Sequence, residues 1–344
     1  MIETDITKMF DIKYPIIAAP MGPFYTTELT VAVSEAGGLG VLSHTNLEEK
    51  SSYKEMVKNM EYVVEHTDKP FGLNIRTSRM QPDARTLIRK IPRYVRKHPK
   101  IKEQLTYILT SAGSAKLLPK SRHYQALRED APHLKHFHVA PALWFADKCV
   151  EADVDGLVVT GTEGGGHQSY EKVSTLVLLQ QVLEKYPDVP LVACGGFATG
   201  KGVAAALSMG AGAVAMGSRF IASKESEFHD NYKSVIPPAE ATDTVLVTGV
   251  FGPIRLWKNP YAKSHKLVTS KEEKMAQEES MSPEELLEEQ KHYELVYHGD
   301  IEDGAVLLGQ SIGLVDKIES TSEIIEKIMK EAEQTIRNSQ NILN

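Results

Sequence analysis

Short, unbroken runs of apolar residues recur along the first two thirds of the chain, and each is followed by a segment with helical spacing. Apolar runs without polar alternation are typical of strands that are buried on both faces of a parallel sheet. They predict eight strands, at residues 16–19, 39–42, 71–75, 105–109, 137–140, 156–159, 191–194 and 213–216. Eight strand–helix units within about 220 residues favour a (β/α)8 TIM barrel, with a doubly wound parallel sheet as the alternative.

The end of the chain carries the pattern of an amphipathic helix. Ser320 and Glu323 have the spacing of a capping box. Apolar side chains then recur every three or four residues, at Ile324, Ile325, Ile328, Met329, Ala332 and Ile336. We expect this stripe to pack on the barrel wall.

Two segments do not fit the strand–helix alternation. Residues 76–104 are rich in Arg and Lys, which is typical of a solvated helix face. The alternative interpretation is a docking site for an anionic part of a substrate, such as a phosphate-bearing carrier. Residues 259–300 are highly charged and are interpreted as an insertion near the barrel mouth, with a plain surface insertion as the alternative. We therefore predict a barrel core at 1–258, the charged insertion at 259–300, and a return segment with the C-terminal helix at 301–344.

The composition is that of a globular protein, and it argues against several kinds of partner. Of the 344 residues, 42% are hydrophobic and 25% are charged, so the chain can bury a full core. Its 46 acidic residues outnumber its 39 basic residues, which gives a formal charge of −7. We expect no nucleic-acid or anionic-membrane partner, because such partners need a basic surface.

Cysteine usage and the N-terminus point to a compartment. The two cysteines, Cys149 and Cys194, are too few for a disulfide framework and fit a reduced cytoplasm. They also lie too far apart for a zinc-type cysteine cluster, and histidines and carboxylates stay open as ligands. We predict no metal. The acidic N-terminus does not resemble a signal peptide, and no apolar run approaches the ~20 residues of a membrane span. We expect a cytoplasmic enzyme, and a homodimer through the two unusual segments stays open.

A large share of the 24 glycines lies in loops after predicted strands one, four, six, seven and eight. The chain reads Gly164-Gly165-Gly166-His167 after the sixth strand, Gly195-Gly196 after the seventh and Gly217-Ser218 after the eighth. Glycine lets a backbone turn sharply and present its N–H groups without a Cβ in the way. The loops after strands seven and eight of a barrel commonly hold a phosphate, so a phosphate-bearing cofactor is favoured. No G-x-G-x-x-G sequence opens a first βαβ unit, which argues against a Rossmann domain.

Three other strand ends complete a predicted site for a flat cofactor. The first strand ends in Ala19-Pro20-Met21-Gly22, small residues and a methionine that suit an aromatic ring. The third ends in Asn74, whose amide suits the edge of a heterocycle, and the fourth ends in Thr110 within a small, polar loop. The predicted ring lies near strands one, three and four, and the phosphate near strands seven and eight. Flavin mononucleotide (FMN) has about that reach.

In this order and spacing, the motifs resemble the nitronate monooxygenase family, formerly the 2-nitropropane dioxygenases. The family also contains FMN-dependent enoyl-acyl-carrier-protein reductases and NADH:quinone reductases. The resemblance covers nearly the whole chain. The segments that carry it are 18–22, 161–167, 193–197, 216–220, 224–226 and 309–314.

The resemblance implies a TIM barrel that binds FMN non-covalently, with NADH or NADPH as a candidate co-substrate. The residues that it implies in contact with the isoalloxazine ring are Met21, Gly22 and Asn74. Those implied to contact phosphate through their backbone are Gly195, Gly196, Gly217 and Ser218. The Gly164–Gly166 stretch would approach the ring or the ribityl chain. Strand-end position adds the cofactor-binding candidates Ala19, Pro20 and Thr110.

His167 corresponds to the active-site histidine of the family, which follows the sequence Glu-Ala-Gly-Gly. The resemblance implies that its imidazole lies near flavin N5 and handles a substrate proton, which suits a group with an ordinary pKa near ~6.5. The chain departs from the family where Gly164 replaces a common alanine. It departs again where Gln168-Ser169 follow the histidine and change the polarity beside it.

The sequence therefore predicts an FMN-dependent oxidoreductase that oxidises alkyl nitronates with O2. The alternative is an NAD(P)H-dependent reductase of enoyl thioesters or quinones, which the basic segment 76–104 favours because acyl carriers are anionic. The substrate is then a small molecule or an acyl thioester. A third hypothesis, from outside the enzymes, is a flavin-binding protein without turnover.

Overall fold

The computed structural model describes residues 2–48, 50–78, 81–249, 252–268, 270, 272–273, 275–276 and 283–342, with the backbone alone for 283–289. The charged insertion predicted at 259–300 therefore lies partly outside the described residues.

The strands of the described chain comprise eight parallel barrel strands and three strands of a smaller sheet. In chain order they are β1 (Ile16–Ala18), β2 (Gly40–Leu42), β3 (Phe71–Arg76), β4 (Leu105–Ser111), β5 (Lys135–Ala140), β6 (Gly156–Thr160), β7 (Gly166–His167), β8 (Leu191–Cys194), β9 (Ala213–Met216), β10 (Thr244–Gly249) and β11 (Gly252–Trp257).

The helices of the described chain surround the barrel or follow its last strand. In chain order they are α1 (Asp5–Phe10), α2 (Thr27–Glu35), α3 (Ser52–His66), α4 (Ala84–Lys97), α5 (Pro99–Gln104), α6 (Arg122–Asp130), α7 (Leu143–Val150), α8 (Thr175–Lys185), α9 (Gly200–Met209), α10 (Ser218–Ile221), α11 (Asp230–Ser234), α12 (Pro260–Ser264), α13 (Pro283–Tyr297) and α14 (Thr321–Gln340). Two 3-10 helices add residues Ala241–Asp243 and Gln310–Leu314.

The eight parallel strands follow one another in the order β1-β9-β8-β6-β5-β4-β3-β2. The two ends of this sheet meet, because the Ala18 N–H donates to the Leu39 oxygen (2.9 Å) and the Leu39 N–H donates to the Ile16 oxygen (2.9 Å). A doubly wound sheet would leave its two edge strands apart. The predicted TIM barrel is therefore confirmed, and each apolar run identified in the sequence supplies one of its strands.

Aromatic side chains fill the barrel interior below the strand ends. Phe10 of α1 packs against Tyr107 of β4 and Phe137 of β5, with ring centroids 5.1 and 5.6 Å away. Gly72 of β3 is required here, because a Cβ at that position would lie 2.6 Å from the Tyr107 ring. The helix α1 is not predicted from the sequence, since six residues give too little periodicity to recognise a helix.

The C-terminal helix α14 begins at the capping box found in the sequence. The Ser320 N–H donates to the Glu323 carboxylate (2.8 Å), and the Glu323 N–H donates to the Ser320 hydroxyl (3.3 Å). The helix packs against α9 and α2 on the barrel wall. The approach to α9 is close, because a Cβ on Gly200 would lie 2.2 Å from the Ile328 oxygen.

Across the described residues, no helix is both long enough and apolar enough to cross a membrane.

Candidate active site

A cavity of about 460 Å³ lies at the carboxyl ends of the barrel strands. Its walls bring together strand ends and loops that are far apart in the sequence. The predicted site residues that line it are Ala19, Pro20, Met21, Gly22, Asn74, Gly164, Gly165, Gly166, His167, Gly195, Gly196, Gly217 and Ser218. Barrel enzymes place their chemistry on this face, so the cavity is the candidate active site.

Thr110 is the one predicted cofactor neighbour that does not line the cavity. Successive side chains of a strand point to opposite faces of the sheet. Ser111 therefore faces the cavity, whereas Thr110 faces the helices outside the barrel. There its hydroxyl lies 2.7 Å from Nε2 of His136 and 2.5 Å from Nδ1 of His138. The structure thus places Ser111, rather than Thr110, beside a ligand in the cavity.

Burial strongly perturbs the two histidines beside Thr110. Both imidazoles lie almost entirely within the layer between the strands and the helices. Burial disfavours the charged imidazolium and lowers the pKa of His136 and of His138 to about 3. Both side chains are therefore neutral in the folded protein throughout the range in which an unfolded histidine titrates.

Acidification is expected to destabilise the fold through these two groups. Between about pH 6.5 and 4 the unfolded chain protonates both imidazoles and the folded chain protonates neither, so the free energy of unfolding falls as the pH falls. His138→Gln should reduce this slope by about 1.4 kcal/mol per pH unit, the contribution of one proton. Urea unfolding at several pH values measures the slope. The same change at exposed His66 is the control, and equal slopes for the two variants would contradict the expectation.

The hairpin of β10 and β11 positions His167. The short strand β7 pairs with β11, which sets His167 opposite Ile254. The Gln168 N–H extends this pairing by donating to the Pro253 oxygen (2.8 Å). Gly166 has a φ of +76°, a left-handed conformation that glycine adopts without strain. The imidazole is therefore held on the cavity wall by a sheet that was not predicted from the sequence. Two β-rich stretches around Gly252 are the signal that would have indicated it.

The return segment supports the glycine loop after β6 from behind. A Cβ on Gly165 would lie 2.7 Å from the backbone nitrogen of Gly309. The Gly309 N–H donates to the Ser218 hydroxyl (3.0 Å), and the Gln310 N–H donates to the Glu163 oxygen (2.9 Å). The loops after β6 and β9 are therefore held together by a segment that begins 91 positions after Ser218.

Gln168 stabilises the glycine loop from inside. Its Nε2 donates to the backbone oxygen of Gly164 (2.8 Å). A Cβ on Gly164 would lie 2.9 Å from the same Nε2. The two departures from the family pattern are thus structurally linked, because the glutamine amide occupies the space that an alanine methyl would need.

The loops after β8 and β9 form a cradle that suits a phosphate. Gly195 and Gly196 have φ values of +88° and +89°, which turn the backbone sharply. Among the described residues, no hydrogen bond has the backbone N–H of Gly196 or Gly217 as its donor. Donors that the fold leaves available at a turn in this way are the groups that bind anions. The cradle therefore fits the phosphate of FMN.

The opposite wall offers a smooth surface and an ordered amide. The Met21 N–H donates to the Ser43 hydroxyl (2.9 Å), which holds the strand-end loop in place. Nδ2 of Asn74 donates to the Leu109 oxygen and to the Ser111 hydroxyl, both at 3.1 Å. These contacts fix the Asn74 side chain. Its Oδ1 accepts a long hydrogen bond from the Ser111 hydroxyl (3.5 Å) and has a second lone pair for the edge of a heterocycle.

Apolar and aromatic side chains form the rest of the cavity wall. Trp144 and Phe145 line it on the β5 side, and Phe228, Tyr232 and Leu307 line it near the return segment. The Tyr232 hydroxyl donates to the Leu307 oxygen (2.8 Å), so the polar end of that ring is satisfied within the protein. The cavity therefore offers an apolar compartment in addition to the phosphate cradle.

The basic segment 76–104 is divided between these walls and the outer surface. Most of it forms α4 and α5, and the Arg85, Arg89 and Arg93 side chains of α4 are exposed. The docking of an anionic carrier on this surface stays a prediction. Arg76, at the start of the segment, instead lines the cavity. In the sequence it cannot be told from the surface charges, because it stands at the head of a basic run.

Comparison with known proteins identifies the family. A family profile described as nitronate monooxygenase matches residues 3–331. A (3aS,4S,5R,7aS)-5-hydroxy-7a-methyl-1-oxo-octahydro-1H-indene-4-carboxyl-CoA dehydrogenase from Rhodococcus jostii is 32% identical over 73% of this chain, and the match spans 64% of that relative. A probable nitronate monooxygenase from Staphylococcus saprophyticus is 28% identical over 73% of this chain and 77% of its own length.

Among solved structures, FabK from Thermotoga maritima is 30% identical to this chain. The superposition covers 99% of this chain and 100% of that one, with a TM-score of 0.79. Flavin dependence is typical of the family whose profile matches. The barrel thus agrees with the comparisons, and the chain belongs to the nitronate monooxygenase family.

Proposed function

We propose that this protein is an FMN-dependent reductase of α,β-unsaturated acyl thioesters that takes its electrons from NADH or NADPH. The observation that carries the proposal is the apolar lining of the cavity that His167 also lines, to which Trp144, Phe145 and Phe228 contribute. An acyl chain buries apolar surface against such walls, which is favourable by roughly 25 cal/mol per Å². Two lines of similarity support it: the end-to-end likeness to FabK and a relative named as a dehydrogenase of a carboxyl-CoA.

In this proposal the glycine loops hold the cofactor. The N–H groups at Gly195, Gly196, Gly217 and Ser218 bind the FMN phosphate, while Met21, Gly22 and Asn74 lie against the ring. The rest of the surface that contacts the FMN ring is formed by Ala19, Pro20 and Gly164–Gly166. When bound, FMN supplies hydride transfer, which no amino-acid side chain provides.

His167 then has the role of a proton donor. Reduction of an enoyl thioester adds a hydride at the β-carbon and a proton at the α-carbon. The pairing of β7 with β11 holds the imidazole on the cavity wall, where a protonated ring reaches the α-carbon of a thioester bound in the apolar compartment. In this proposal the proton comes from this side chain rather than from bulk water.

An anaerobic experiment in two steps tests the function. Purified, FMN-loaded protein is mixed with NADH or NADPH, and loss of the visible flavin absorbance reports reduction. Crotonyl-CoA is then added, and recovery of the absorbance with formation of butyryl-CoA reports transfer to the thioester. Rapid bleaching followed by recovery is expected. Absence of bleaching by both nucleotides would overturn the proposal.

A second candidate function is the oxidation of alkyl nitronates with O2, as first predicted from the sequence. The likeness to a probable nitronate monooxygenase favours it, as does a histidine within a cavity that suits FMN. Anaerobic bleaching by propyl-2-nitronate without bleaching by either nucleotide would establish it in place of the reductase. If neither donor reduces the flavin, the result favours the third hypothesis, a flavin-binding protein without turnover.

A further inference from the structure

Arg76 places a positive charge in the cavity wall that none of the roles above uses. It is the last residue of β3, and it lines the cavity next to Gly22, where an added Cβ would lie 3.6 Å from Nε of the arginine. Nη2 donates to Oδ1 of Asn46 at 2.6 Å. Nε is buried and has no hydrogen-bond partner among the described residues.

No carboxylate in the described part of the chain forms an ion pair with Arg76. The acidic groups that interact electrostatically with Arg76 are the Tyr293 hydroxyl and the Asp83 carboxylate. That carboxylate is already bonded to His44, Ser52 and Gln81. Burial disfavours the charged guanidinium and lowers the pKa of Arg76 below its ordinary value. An enclosed guanidinium with unused donors is costly in free energy, and an anion that reaches it offsets that cost.

This charge lies away from the phosphate cradle. In the ring of eight strands, β3 is four strands from β8 in one direction and three from β9 in the other. The two positively polarised regions therefore face each other across the cavity. A ligand that places its phosphate in the glycine loops cannot place the same phosphate at Arg76.

Arg76 lies beside Gly22 and nearer the mouth than Asn74, two of the predicted ring contacts. It follows Asn74 by two residues on the same face of β3, which is a rise of about 6.6 Å along the strand. Asn46, which accepts its hydrogen bond, is in turn bonded to α13, because Nε2 of Gln290 donates to the Asn46 backbone oxygen (3.3 Å). Asn46 thus links the guanidinium at the end of β3 to α13.

We propose that Arg76 binds an anionic group of the substrate, a carboxylate or a phosphate, at the side of the cavity opposite the FMN phosphate cradle. A planar guanidinium matches either group through two parallel hydrogen bonds. In an acyl thioester the anion is either a carboxylate on the acyl chain or the phosphate of the pantetheine arm. The choice of a thioester rests on the proposed function, whereas the presence of an anion site does not.

The test measures equilibrium binding to FMN-loaded protein through the change in the flavin spectrum, so it needs no turnover. The first arm uses small anions, butyrate and methyl phosphate. The second arm uses crotonyl-pantetheine, which is neutral, its 4′-phosphate, and glutaconyl-pantetheine, which carries a carboxylate. Arg76→Gln is expected to weaken at least one anionic probe in each arm by about tenfold or more and the neutral thioester by less than about twofold. The probe that loses affinity shows whether Arg76 binds a carboxylate of the acyl chain or the phosphate of the pantetheine arm.

Two further variants distinguish the effect of removing the charge at Arg76 from a general disruption of the fold. Arg76→Lys retains the charge without the planar fork and should restore part of the affinity for the anion. Arg337→Gln removes a charge from the exposed end of α14 and should leave every affinity unchanged. The inference is overturned if Arg76→Gln weakens the neutral and anionic thioesters equally, or if it weakens FMN binding instead. If Arg76→Gln loses small-anion binding and the unaltered protein binds none of the thioesters, the anion site is supported and the thioester function is rejected.

Discussion

Replacing His167 with asparagine is expected to lower the rate of enoyl-thioester reduction by about 10²- to 10⁴-fold, the contribution of a positioned general acid. Asparagine keeps the polarity and much of the size of the side chain but cannot deliver a proton at neutral pH. The pairing of β7 with β11 uses backbone groups, so the loop and the cofactor cradle should persist in the variant.

The two half-reactions separate this role from a general loss of activity. Flavin reduction by NADH or NADPH requires no proton from His167 and should change by less than about tenfold, below the range of a general-acid effect. Reoxidation by crotonyl-CoA requires the α-carbon proton and should carry nearly the whole loss. Stopped-flow measurement of each step provides the comparison. His123→Asn, on the outer surface of α6, is the control. Equal slowing of both steps would argue that His167 positions the cofactor instead.

The second large effect is expected at Gly196, where alanine should weaken FMN binding by about tenfold, because a residue with a Cβ at φ +89° costs roughly 1–2 kcal/mol. The nearest protein atom to such a Cβ is Cβ of Glu163, at 3.4 Å, so the chain has space for it. The strain can be relieved by rotating the peptide, which would turn the N–H away from the phosphate.

Two comparisons make this expectation specific. Riboflavin lacks the phosphate, so Gly196→Ala should weaken FMN far more than riboflavin in a fluorescence titration. Gly210→Ala is the matched control, because Gly210 also has a positive φ (+110°) but lies at the far end of α9. Its variant should lose stability without losing FMN affinity. An equal loss for the two ligands at Gly196 would mean that the loop does not hold the phosphate.

The barrel could be predicted because its signal is local. Each parallel strand is buried on both faces and therefore appears as a short apolar run, and the helix caps at Thr199 and Ser320 use groups within three residues of each other. The hairpin of β10 and β11 was not predicted, because its strands do not form a continuous apolar run followed by a helix. Its pairing partner, β7, has only two residues and no periodicity.

The parts of the candidate site that could be predicted from the sequence are the loops rich in glycine. Gly195 and Gly196 stand at positive φ after a predicted strand, and only the backbone is needed to recognise that use. Side-chain direction at a strand end was not accessible in the same way, since a shift of one residue reverses it. This is why the sequence indicates Thr110 rather than its neighbour Ser111. Arg76 cannot be distinguished from the surface charges in the sequence because it stands at the head of a basic run.

The order of elements, the glycine loops and the histidine after β6 follow from the sequence alone, because each depends on residues within one strand–turn–helix unit. Only the tertiary structure decided which side chains share the cavity. Gly309 supports Gly165, the β11 strand sets the place of His167, and Asn46 holds the guanidinium of Arg76. These contacts join residues from about 30 to about 140 positions apart, and burial and register in the closed barrel, rather than local propensity, determine them.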